Sequence, residues 1–339
     1  MSNDSPLPDA LVPVLAPHGL DGLPLAPIPT KGVSHDHFAI GDSGWLLRAP
    51  RLSQLDLDAE AQLRLQEAAF LRAEPSGATP RLLAVAQISD ALPRGGLIVE
   101  RVVGRPPAGP EHLPAVARAL AAIHALPTPA PGDRPPIPTP PDALSDLAAR
   151  ARGALETYMP RAGLTAKAQR IIADRLAWLD AEIARSQDLG PAVLCVTDAH
   201  PGNFLIRASG EACFVDLEKP AYGCPALDLA HAVIDVAAGW DPDAAMRPGA
   251  AGRKAFAEAW LAAAPPTLAA ANAPLIAPLR QAVWLRTISF FMRWRAESAT
   301  QGPWSAERLG PEAARHFSSH VEASLAEAAI ETAAAAWSE

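Results

Sequence analysis

Three polar side chains near the middle of the chain have the types and the spacing of a phosphoryl-transfer site. Asp198 and Asn203 lie five positions apart in the segment Val-Thr-Asp-Ala-His-Pro-Gly-Asn, and Asp216 follows the apolar run Ala-Cys-Phe-Val, which predicts a strand. A carboxylate can orient an acceptor hydroxyl, while an amide oxygen and a second carboxylate can hold Mg²⁺. We therefore interpret Asp198 as the catalytic residue, and Asn203 and Asp216 as metal ligands.

Other acidic residues and histidines extend this pattern. Glu218 follows Asp216 by two positions, where it serves either a second metal ion or only the loop, and both alternatives stay open. Asp228 lies at the start of a predicted helix, where a carboxylate satisfies free N–H groups and interacts favourably with the helix dipole. We interpret His200 as a residue that supports the loop, not as a metal ligand. His124 ends another predicted helix and is interpreted as a structural histidine.

The ordered set of segments around these residues resembles the catalytic region of the aminoglycoside phosphotransferase and choline kinase family. That region reads His-Gly-Asp-x-His-Pro-x-Asn, then Ile-Asp-(Trp/Phe)-(Glu/Asp), then Gly-Asp-Pro-x-x-Asp-Leu-Ala. The last two segments read Val-Asp-Leu-Glu and Gly-Cys-Pro-Ala-Leu-Asp-Leu-Ala here. The chain departs from the family at Val196 and Thr197, in place of His-Gly, and at Cys224, in place of Asp. The resemblance implies a small-molecule kinase in which Asp228 also braces the catalytic loop.

Upstream of this region, short apolar runs at 38–40 and 45–48 flank a Gly-Asp-Ser-Gly segment and predict a β-hairpin. A helix is predicted over 56–73, with Glu67 inside its apolar stripe, where an unpaired carboxylate is costly. Arg48, at the end of the preceding strand, is its predicted ion-pair partner; the alternative is that Glu67 is an exposed helix residue. By resemblance, this pair corresponds to the strand cation and helix glutamate that hold nucleotide phosphates in kinases.

The resemblance also implies the remaining nucleotide contacts. Gly32 and Ser34 lie in a segment similar to the family's Gly-x-Ser-Asn loop, which covers the phosphates, and an ordinary surface loop is the alternative. Glu100 and Val102 end a predicted strand at 97–103 and match the hinge between the lobes, whose backbone is expected to bind adenine. The implied cofactors are ATP, with GTP as the alternative donor, and Mg²⁺.

The order of elements predicts an α+β protein with a protein-kinase-like bilobal fold. Residues 1–29 are Pro-rich and read as an extended or disordered leader. Residues 30–104 are predicted to form a small N-lobe with an antiparallel sheet and one helix. Residues 105–339 are predicted to form a large, mostly helical C-lobe with the catalytic loop and the substrate pocket. Within it, eight prolines at 127–141 exclude a helix or a central strand and predict a linker or a surface excursion.

Length, composition and charge narrow the class of protein. A chain of 339 residues with 49% hydrophobic and 19% charged residues is typical of a globular protein with two lobes or domains. No apolar run predicts a membrane span, and the acidic, Pro-rich N-terminus does not resemble a signal peptide. A net charge of −8 without a Lys/Arg run argues against nucleic acid as a partner. Three cysteines without metal-type spacing fit a reduced cytoplasmic location.

These observations predict an enzyme, an ATP-dependent kinase that transfers the γ-phosphoryl group to a hydroxyl of a small molecule with Mg²⁺. The alternative is a non-catalytic, nucleotide-binding pseudokinase that acts through partner contacts. The intact set of Asp198, Asn203 and Asp216 favours catalysis. A protein kinase is disfavoured because the chain has no Asp-Phe-Gly or Ala-Pro-Glu segment.

The substrate and the oligomeric state stay open at the level of sequence. A cationic substrate would require an acidic pocket, for which Asp235, Glu258 and Glu297 are candidate walls. Arg286 and Arg293 lie seven positions apart on one predicted helix and share a face. They either bind a carboxylate or phosphate, or lie exposed on a core helix.

Overall fold

The computed structural model describes residues 8–29, 32, 34–184, 189–244, 246–302 and 311–337. Within these residues the chain forms a small lobe around an antiparallel sheet and a large, mostly helical lobe. The predicted α+β class is confirmed. No helix in the described part of the chain is both long and apolar enough to cross a membrane.

The sheet of the small lobe has five strands in the spatial order β1-β2-β3-β5-β4. Their bounds are β1 Leu25–Ile28, β2 His35–Ile40, β3 Trp45–Pro50, β4 Leu82–Ala86 and β5 Gly96–Glu100. Strands β2 and β3 form the predicted hairpin, in which His37 pairs with Arg48. Strand β5 pairs with the other edge of β3, where Leu97 is the partner of Arg48. Arg48 therefore lies on the central strand of the sheet.

The prediction of an extended or disordered leader is wrong for the described part of residues 1–29. Helix α1 spans Pro8–Leu15 and places Leu11 and Leu15, both fully buried, on the sheet together with Phe38. Strand β1 then adds an edge strand, so the sheet begins before residue 30. The physical reason is that this sheet is apolar on both faces, and the outer face must also be covered.

Helix α2, Ala59–Ala73, covers the inner face of the sheet and begins with Asp58 as its N-cap, whose side chain accepts from Ala61 N at 2.7 Å. Such a cap stabilises a helix by about 1 kcal/mol. The buried stripe of α2 includes Leu63, Gln66 and Phe70. The small lobe thus has two helices, one on each side of the sheet, where the sequence predicted one.

The large lobe is built on ten helices within the described residues. They are α3 Leu113–His124, α4 Ala143–Tyr158, α5 Ala166–Ala184, α6 Pro225–Val233, α7 Asp235–Ala238, α8 Gly249–Ala263, α9 Pro266–Asn272, α10 Ile276–Ala299, α11 Pro311–Leu325 and α12 Glu327–Ala335. Helix α10 packs against α4, α6 and α11. Its buried residues include Trp284, Phe291 and Trp294, so α10 forms the centre of this lobe.

Four short strands position the catalytic segment. They are β6 Val193–Cys195, β7 Phe204–Ile206, β8 Ala212–Phe214 and β9 Ala221–Gly223. Strand β6 pairs with β9, and β7 pairs with β8. The catalytic loop runs from β6 to β7, and the second acidic segment runs from β8 to β9. The two segments therefore start and end beside each other.

The Pro-rich stretch at 127–141 contains neither an α-helix nor a strand, as predicted. It is nevertheless packed, because Ile137 is buried and the carbonyl of Pro138 accepts from Tyr222 N at 2.8 Å. Pro136 and Pro140 border the cavity between the lobes. The stretch is thus part of the wall of the cleft.

Candidate active site

The β7–β8 hairpin brings Asn203 and Asp216 together. Phe204 pairs with Phe214, and Val215 N donates to Asn203 O at 2.9 Å, so Asp216 follows directly at the end of the hairpin. The Asn203 amide nitrogen donates to the carbonyl of Asp198 at 2.8 Å. With Glu218, these residues line a cavity of about 1110 Å³ between the lobes. The three predicted catalytic and metal residues therefore meet at one place.

Asp228 braces the backbone of the catalytic loop, as the resemblance implied. Its carboxylate is 1% exposed and accepts from Val196 N at 2.7 Å and from Thr197 N at 2.9 Å. The helix-cap role, predicted as compatible with this brace, is wrong, because the cap position of α6 belongs to Cys224, which makes no side-chain cap bond; Asp228 does lie in the first turn of α6, as predicted. The Cys224 thiol instead lies 3.5 Å from the Asn272 amide oxygen.

Asp228 is held in turn by a buried chain of ring groups. Trp260 Nε1 donates to His124 Nδ1 at 3.1 Å, which leaves His124 Nε2 as the donor to Asp228 Oδ2 at 3.2 Å. All three side chains are almost fully buried. His124 is thus structural, as interpreted, and it connects α8 to the catalytic loop. Because Trp260 lies far away in the sequence, this link was not predicted.

Thr197 adopts a left-handed backbone conformation, with φ of 58°. A β-branched residue rarely occupies this region, which glycine enters freely. Three hydrogen bonds hold it there: its N–H donates to Asp228, its hydroxyl donates to Lys219 O, and its carbonyl accepts from Arg286 Nη1 at 3.1 Å. These bonds explain how the loop keeps its shape without the family's glycine.

The carboxylate of Asp198 contacts two residues that the sequence did not single out. Lys219 Nζ lies 2.6 Å from Oδ2, and His231 Nδ1 lies 3.7 Å from Oδ1. Burial favours a raised pKa for Asp198, but the ammonium of Lys219, together with His200 and His231, holds the pKa well below its usual range. Asp198 is therefore ionised. Lys219 directly follows Glu218, and that adjacency was the one signal available in the sequence.

Arg48 reaches across the cleft to Asp216 and does not pair with Glu67. Its guanidinium donates to Asp216 Oδ1, to the Val215 carbonyl at 3.0 Å and to His35 Nδ1 at 3.3 Å. Glu67 is half-buried and does not border the cavity. The predicted ion pair is thus wrong, and Asp216 is the carboxylate that Arg48 contacts.

The residue of α2 that faces this region is Gln66, one position before Glu67. Its side-chain amide lies 3.2 Å from His35 Nε2, and it is 1% exposed. One position on a helix is a rotation of about 100°, which is enough to move Glu67 away from the strand. Leu63 and Phe70 lie in the buried stripe as predicted, but Gln66 and not Glu67 faces the strand.

The donor set near Asp216 fits a hard cation. Carboxylate oxygens of Asp216 and Glu218 and a ring nitrogen of His35 lie within 4.8 Å of one another. Glu218 Oε2 is buried without a hydrogen-bond partner among the described residues. Burial and the neighbouring Asp216 raise the pKa of Glu218 to about 8. The amide nitrogen of Asn203 is already used, so its oxygen remains for a cation. Mg²⁺ prefers such oxygen ligands.

The residues predicted to bind the nucleotide border the same cavity, namely Gly32, Ser34, Glu100, Val102 and Arg48. The Glu100 side chain contacts Arg81 and Arg207 on the lobe surface, and its backbone N–H donates to Arg81 O. Its role as an adenine contact stays a prediction. The nucleotide-binding roles of Gly32, Ser34, Val102 and Arg48 also stay predictions.

A loop residue that the sequence did not indicate connects these parts. Gln54 lies between β3 and α2 and donates through its amide nitrogen to Ser34 Oγ at 2.7 Å and to Glu218 Oε1. Its amide oxygen accepts from Lys219 Nζ at 2.9 Å. The loop has no periodic pattern, so no sequence signal marked Gln54.

Aromatic rings form one part of the cavity wall, which we call the acceptor side because we expect the acceptor there. Trp240 stacks on Phe317 with ring centroids 4.3 Å apart and on Phe291 at 5.5 Å, and Phe290 lies edge-on to Trp240 at 5.6 Å. His231 and Arg286 also border this side, as do Asp241 and His200. Trp240 lies in the bend after α7 and Phe317 on α11, far apart in the sequence, so this wall was not predicted.

The candidate acidic walls do not border the cavity. Asp235 lies 4.0 Å from Arg253, Glu258 pairs with Lys254 on an exposed face, and Glu297 pairs with Arg293 at 2.8 Å. Because Arg293 is bound to Glu297 while Arg286 faces the cavity, the two arginines do not form one anion site.

The fold and the site together define a two-lobed phosphotransferase. The sequence model of the phosphotransferase enzyme family matches residues 25–271, well over half of the chain. The chain belongs to this family, as the resemblance implied. No curated protein sequence matches the chain.

Solved structures of small-molecule kinases share the fold. A choline/ethanolamine kinase family protein from Mesorhizobium loti matches with a TM-score of 0.58 and 17% identity, over 93% of this chain and 98% of the other. Spectinomycin phosphotransferase in complex with ADP and spectinomycin matches with a TM-score of 0.57 and 12% identity, over 95% of this chain and 98% of the other. Plasmodium vivax ethanolamine kinase matches with a TM-score of 0.56 and 16% identity, over 88% of this chain and 82% of the other. These likenesses confirm the predicted kinase-like bilobal fold.

Proposed function

We propose that this protein is a kinase that transfers the γ-phosphoryl group of ATP to a hydroxyl group of a small molecule. The observation that carries the proposal is the convergence of an ionised Asp198 with Asn203 and Asp216 at one edge of the cavity between the lobes. The site thus combines a carboxylate for the acceptor hydroxyl with oxygen ligands for a cation.

The reaction requires one bond to form and one to break. The acceptor oxygen bonds to the γ-phosphorus, and the bond from that phosphorus to the β,γ-bridging oxygen breaks, with the electron pair remaining on ADP. The hydroxyl proton passes to Asp198. Because Lys219 and the two histidines keep the pKa of Asp198 low, it is a weak base, and its main contribution is to orient the hydroxyl.

Asn203, Asp216 and Glu218 would hold Mg²⁺, which neutralises the charge on the phosphates when it is bound. Arg48 would contact the phosphates from the central strand of the small lobe, and the backbone near Val102 would contact the base. GTP is the alternative donor.

The acceptor is proposed to be a small molecule with an apolar part beside its hydroxyl. The aromatic wall around Trp240, Phe290 and Phe317 supports this proposal. The names of the similar structures include choline, ethanolamine and spectinomycin, all of which carry hydroxyl groups.

Thermal unfolding with Mg-ATP and with Mg-GTP tests the nucleotide site. A ligand at about a hundred times its Kd stabilises the folded state by roughly 2.7 kcal/mol, which raises the Tm by several degrees. We expect this shift in the wild type and its loss in Asp216→Ala. An ATP-consumption screen over hydroxylated compounds follows, with Asp198→Asn as the inactive control. No shift with either nucleotide would contradict the proposal, and binding without turnover on any acceptor would favour the pseudokinase.

A further inference from the structure

Lys219 is a largely buried cation. In the reaction proposed above, it only lowers the pKa of Asp198. Its ammonium nitrogen lies 2.6 Å from Asp198 Oδ2, 2.9 Å from Gln54 Oε1 and 4.0 Å from Glu218 Oε1. The side chain is 21% exposed and borders the cavity between the lobes. It is therefore both fixed in position and open to a ligand.

The hydrogen-bonding capacity of Lys219 is not exhausted. An ammonium group has three N–H donors. Asp198 and Gln54 accept two of them, and Glu218 is too distant for a normal hydrogen bond. One donor thus remains for an acceptor in the cavity, and an ammonium group favours phosphate oxygens.

Lys219 lies where the two sides of the cavity meet. Gln54, which holds it, also binds Ser34 on the predicted phosphate-covering loop. Its other partner, Asp198, faces His231 on the acceptor side. A phosphoryl group that moves from the nucleotide to the acceptor must pass between these two sides. Lys219 is therefore next to the path of transfer.

The charges at this point require a second cation. The carboxylates of Asp198 and Asp216 together would repel a triphosphate. Arg48 contacts Asp216, and Lys219 contacts Asp198. Among the described residues, these two are the Lys and Arg side chains that contact either carboxylate. Arg48 and Lys219 would each still attract the phosphate that enters the cavity.

We propose that Lys219 is a catalytic residue whose ammonium group binds the γ-phosphoryl oxygens and carries positive charge beside Asp198 during transfer. This inference rests on the proposed function. No bond to Lys219 forms or breaks: it donates a hydrogen bond to the group that moves. Fixed charge of this kind stabilises the transition state of phosphoryl transfer.

A purely structural role makes a different prediction. If Lys219 only neutralises Asp198, its removal has no preferential effect on a triphosphate once Asp198→Asn has already removed that negative charge. If Lys219 binds the γ-phosphoryl group, its removal weakens the triphosphate alone. The difference between the two nucleotides therefore separates the roles, without any need for a known acceptor.

Calorimetric titration with Mg-ADP and with Mg-AMPPNP, a triphosphate that is not hydrolysed, provides the test. In the Asp198→Asn background we expect K219M to lower AMPPNP affinity about tenfold or more, which corresponds to one lost hydrogen bond between charged groups, with ADP affinity unchanged within about twofold. K219R should keep most of the preference for AMPPNP. K254M, which removes a 76% exposed lysine on α8, is the matched control and should behave as the wild type.

The outcomes are distinct. In the Asp198→Asn background, equal affinities for AMPPNP with and without K219M, or an equal loss for both nucleotides, overturn the role of Lys219 and leave the proposed function standing. A wild type that binds neither nucleotide contradicts the proposed function and this inference together.

Acetylation of the wild-type protein tests the same contact without relying on the fold of a variant. Labelling of Lys219 should fall when AMPPNP is bound and change less with ADP, whereas Lys254 serves as the internal reference in mass spectrometry. Equal protection by both nucleotides would count against the contact.

Discussion

At the scale of single residues, the catalytic loop depends on one buried carboxylate. Asp228 accepts two backbone N–H groups of the loop and a ring N–H of His124, and it is 1% exposed. One of these N–H groups belongs to Thr197, whose left-handed backbone is unfavourable for a β-branched side chain. The loop shape is thus sustained by an acceptor from α6 rather than by the local sequence.

Asp228→Asn removes one acceptor oxygen and places an N–H₂ group against backbone donors. We expect the free energy of unfolding to fall by about 2–4 kcal/mol, since a buried donor is left unsatisfied. Urea unfolding measures this change. Asp235→Asn, at a half-exposed position next to α6, is the control and should stay within about 0.5 kcal/mol of the wild type. Equal stability of the two variants would show that the brace contributes little.

At the scale of elements, two helices have functions that their sequences did not reveal. Helix α1 covers the outer face of the small-lobe sheet through Leu11 and Leu15. Helix α11 packs Phe317 under Trp240 and donates from His320 Nε2 to the Val236 carbonyl at 2.8 Å. It thereby fixes the segment that leads into the aromatic wall of the acceptor side.

The contact through His320 makes the docking of α11 sensitive to pH. The pKa of His320 lies below its ordinary value of 6.5, mainly because the side chain is buried. The hydrogen bond to Val236 raises this pKa, and the nearby His316 and Arg247 lower it further. The unfolded chain therefore binds this proton first. The stability that His320 contributes is fully present above about pH 6.5 and is lost as the pH falls toward the folded pKa.

Glutamine at position 320 can keep the bond to Val236 but cannot titrate. Between about pH 7.5 and about pH 5.5, we expect the wild type to lose up to about 1 kcal/mol more unfolding free energy than His320→Gln, because other titrating groups cancel in the comparison. Urea unfolding at both pH values measures the difference. Equal losses in the two proteins would refute the link between His320 and α11.

At the scale of the whole molecule, polar contacts across the cleft join the two lobes. Arg48 of the small lobe binds Asp216 of the large lobe, and Gln54 binds Glu218 and Lys219. Each contact joins a residue at the proposed nucleotide site to one at the proposed site of transfer. Under the proposed function, nucleotide binding and the relative position of the lobes are therefore connected through the same side chains.

Arg48→Met removes the cation that faces both Asp216 and the nucleotide. We expect the Kd for Mg-AMPPNP to rise at least about tenfold, because a charged hydrogen bond to phosphate is lost. Titration calorimetry measures the affinity. Arg118→Met, at an exposed position of α3 outside the cavity, should leave it unchanged. An unaltered Kd in the Arg48 variant would mean that this arginine serves only Asp216.

The sequence by itself determined the parts of the site that are close together in the chain. Asp198 and Asn203 share one loop, and Asp216 follows the next strand, so their spacing alone indicated a common chemistry. The α+β class and the central hairpin could also be predicted, because alternation of apolar residues is a local property. The segment that resembles the family motif also predicted that Asp228 braces the catalytic loop.

Only the tertiary structure decided the contacts between distant positions. Lys219 meets Gln54 across 165 positions, and Trp260 meets His124 across 136. Arg48 binds Asp216 instead of the nearer Glu67, because a rotation of one helix position decides which side chain faces the strand. Helix α1 is ordered because the outer face of the sheet is apolar. Such contacts depend on how elements pack, and local sequence patterns carry no record of that packing.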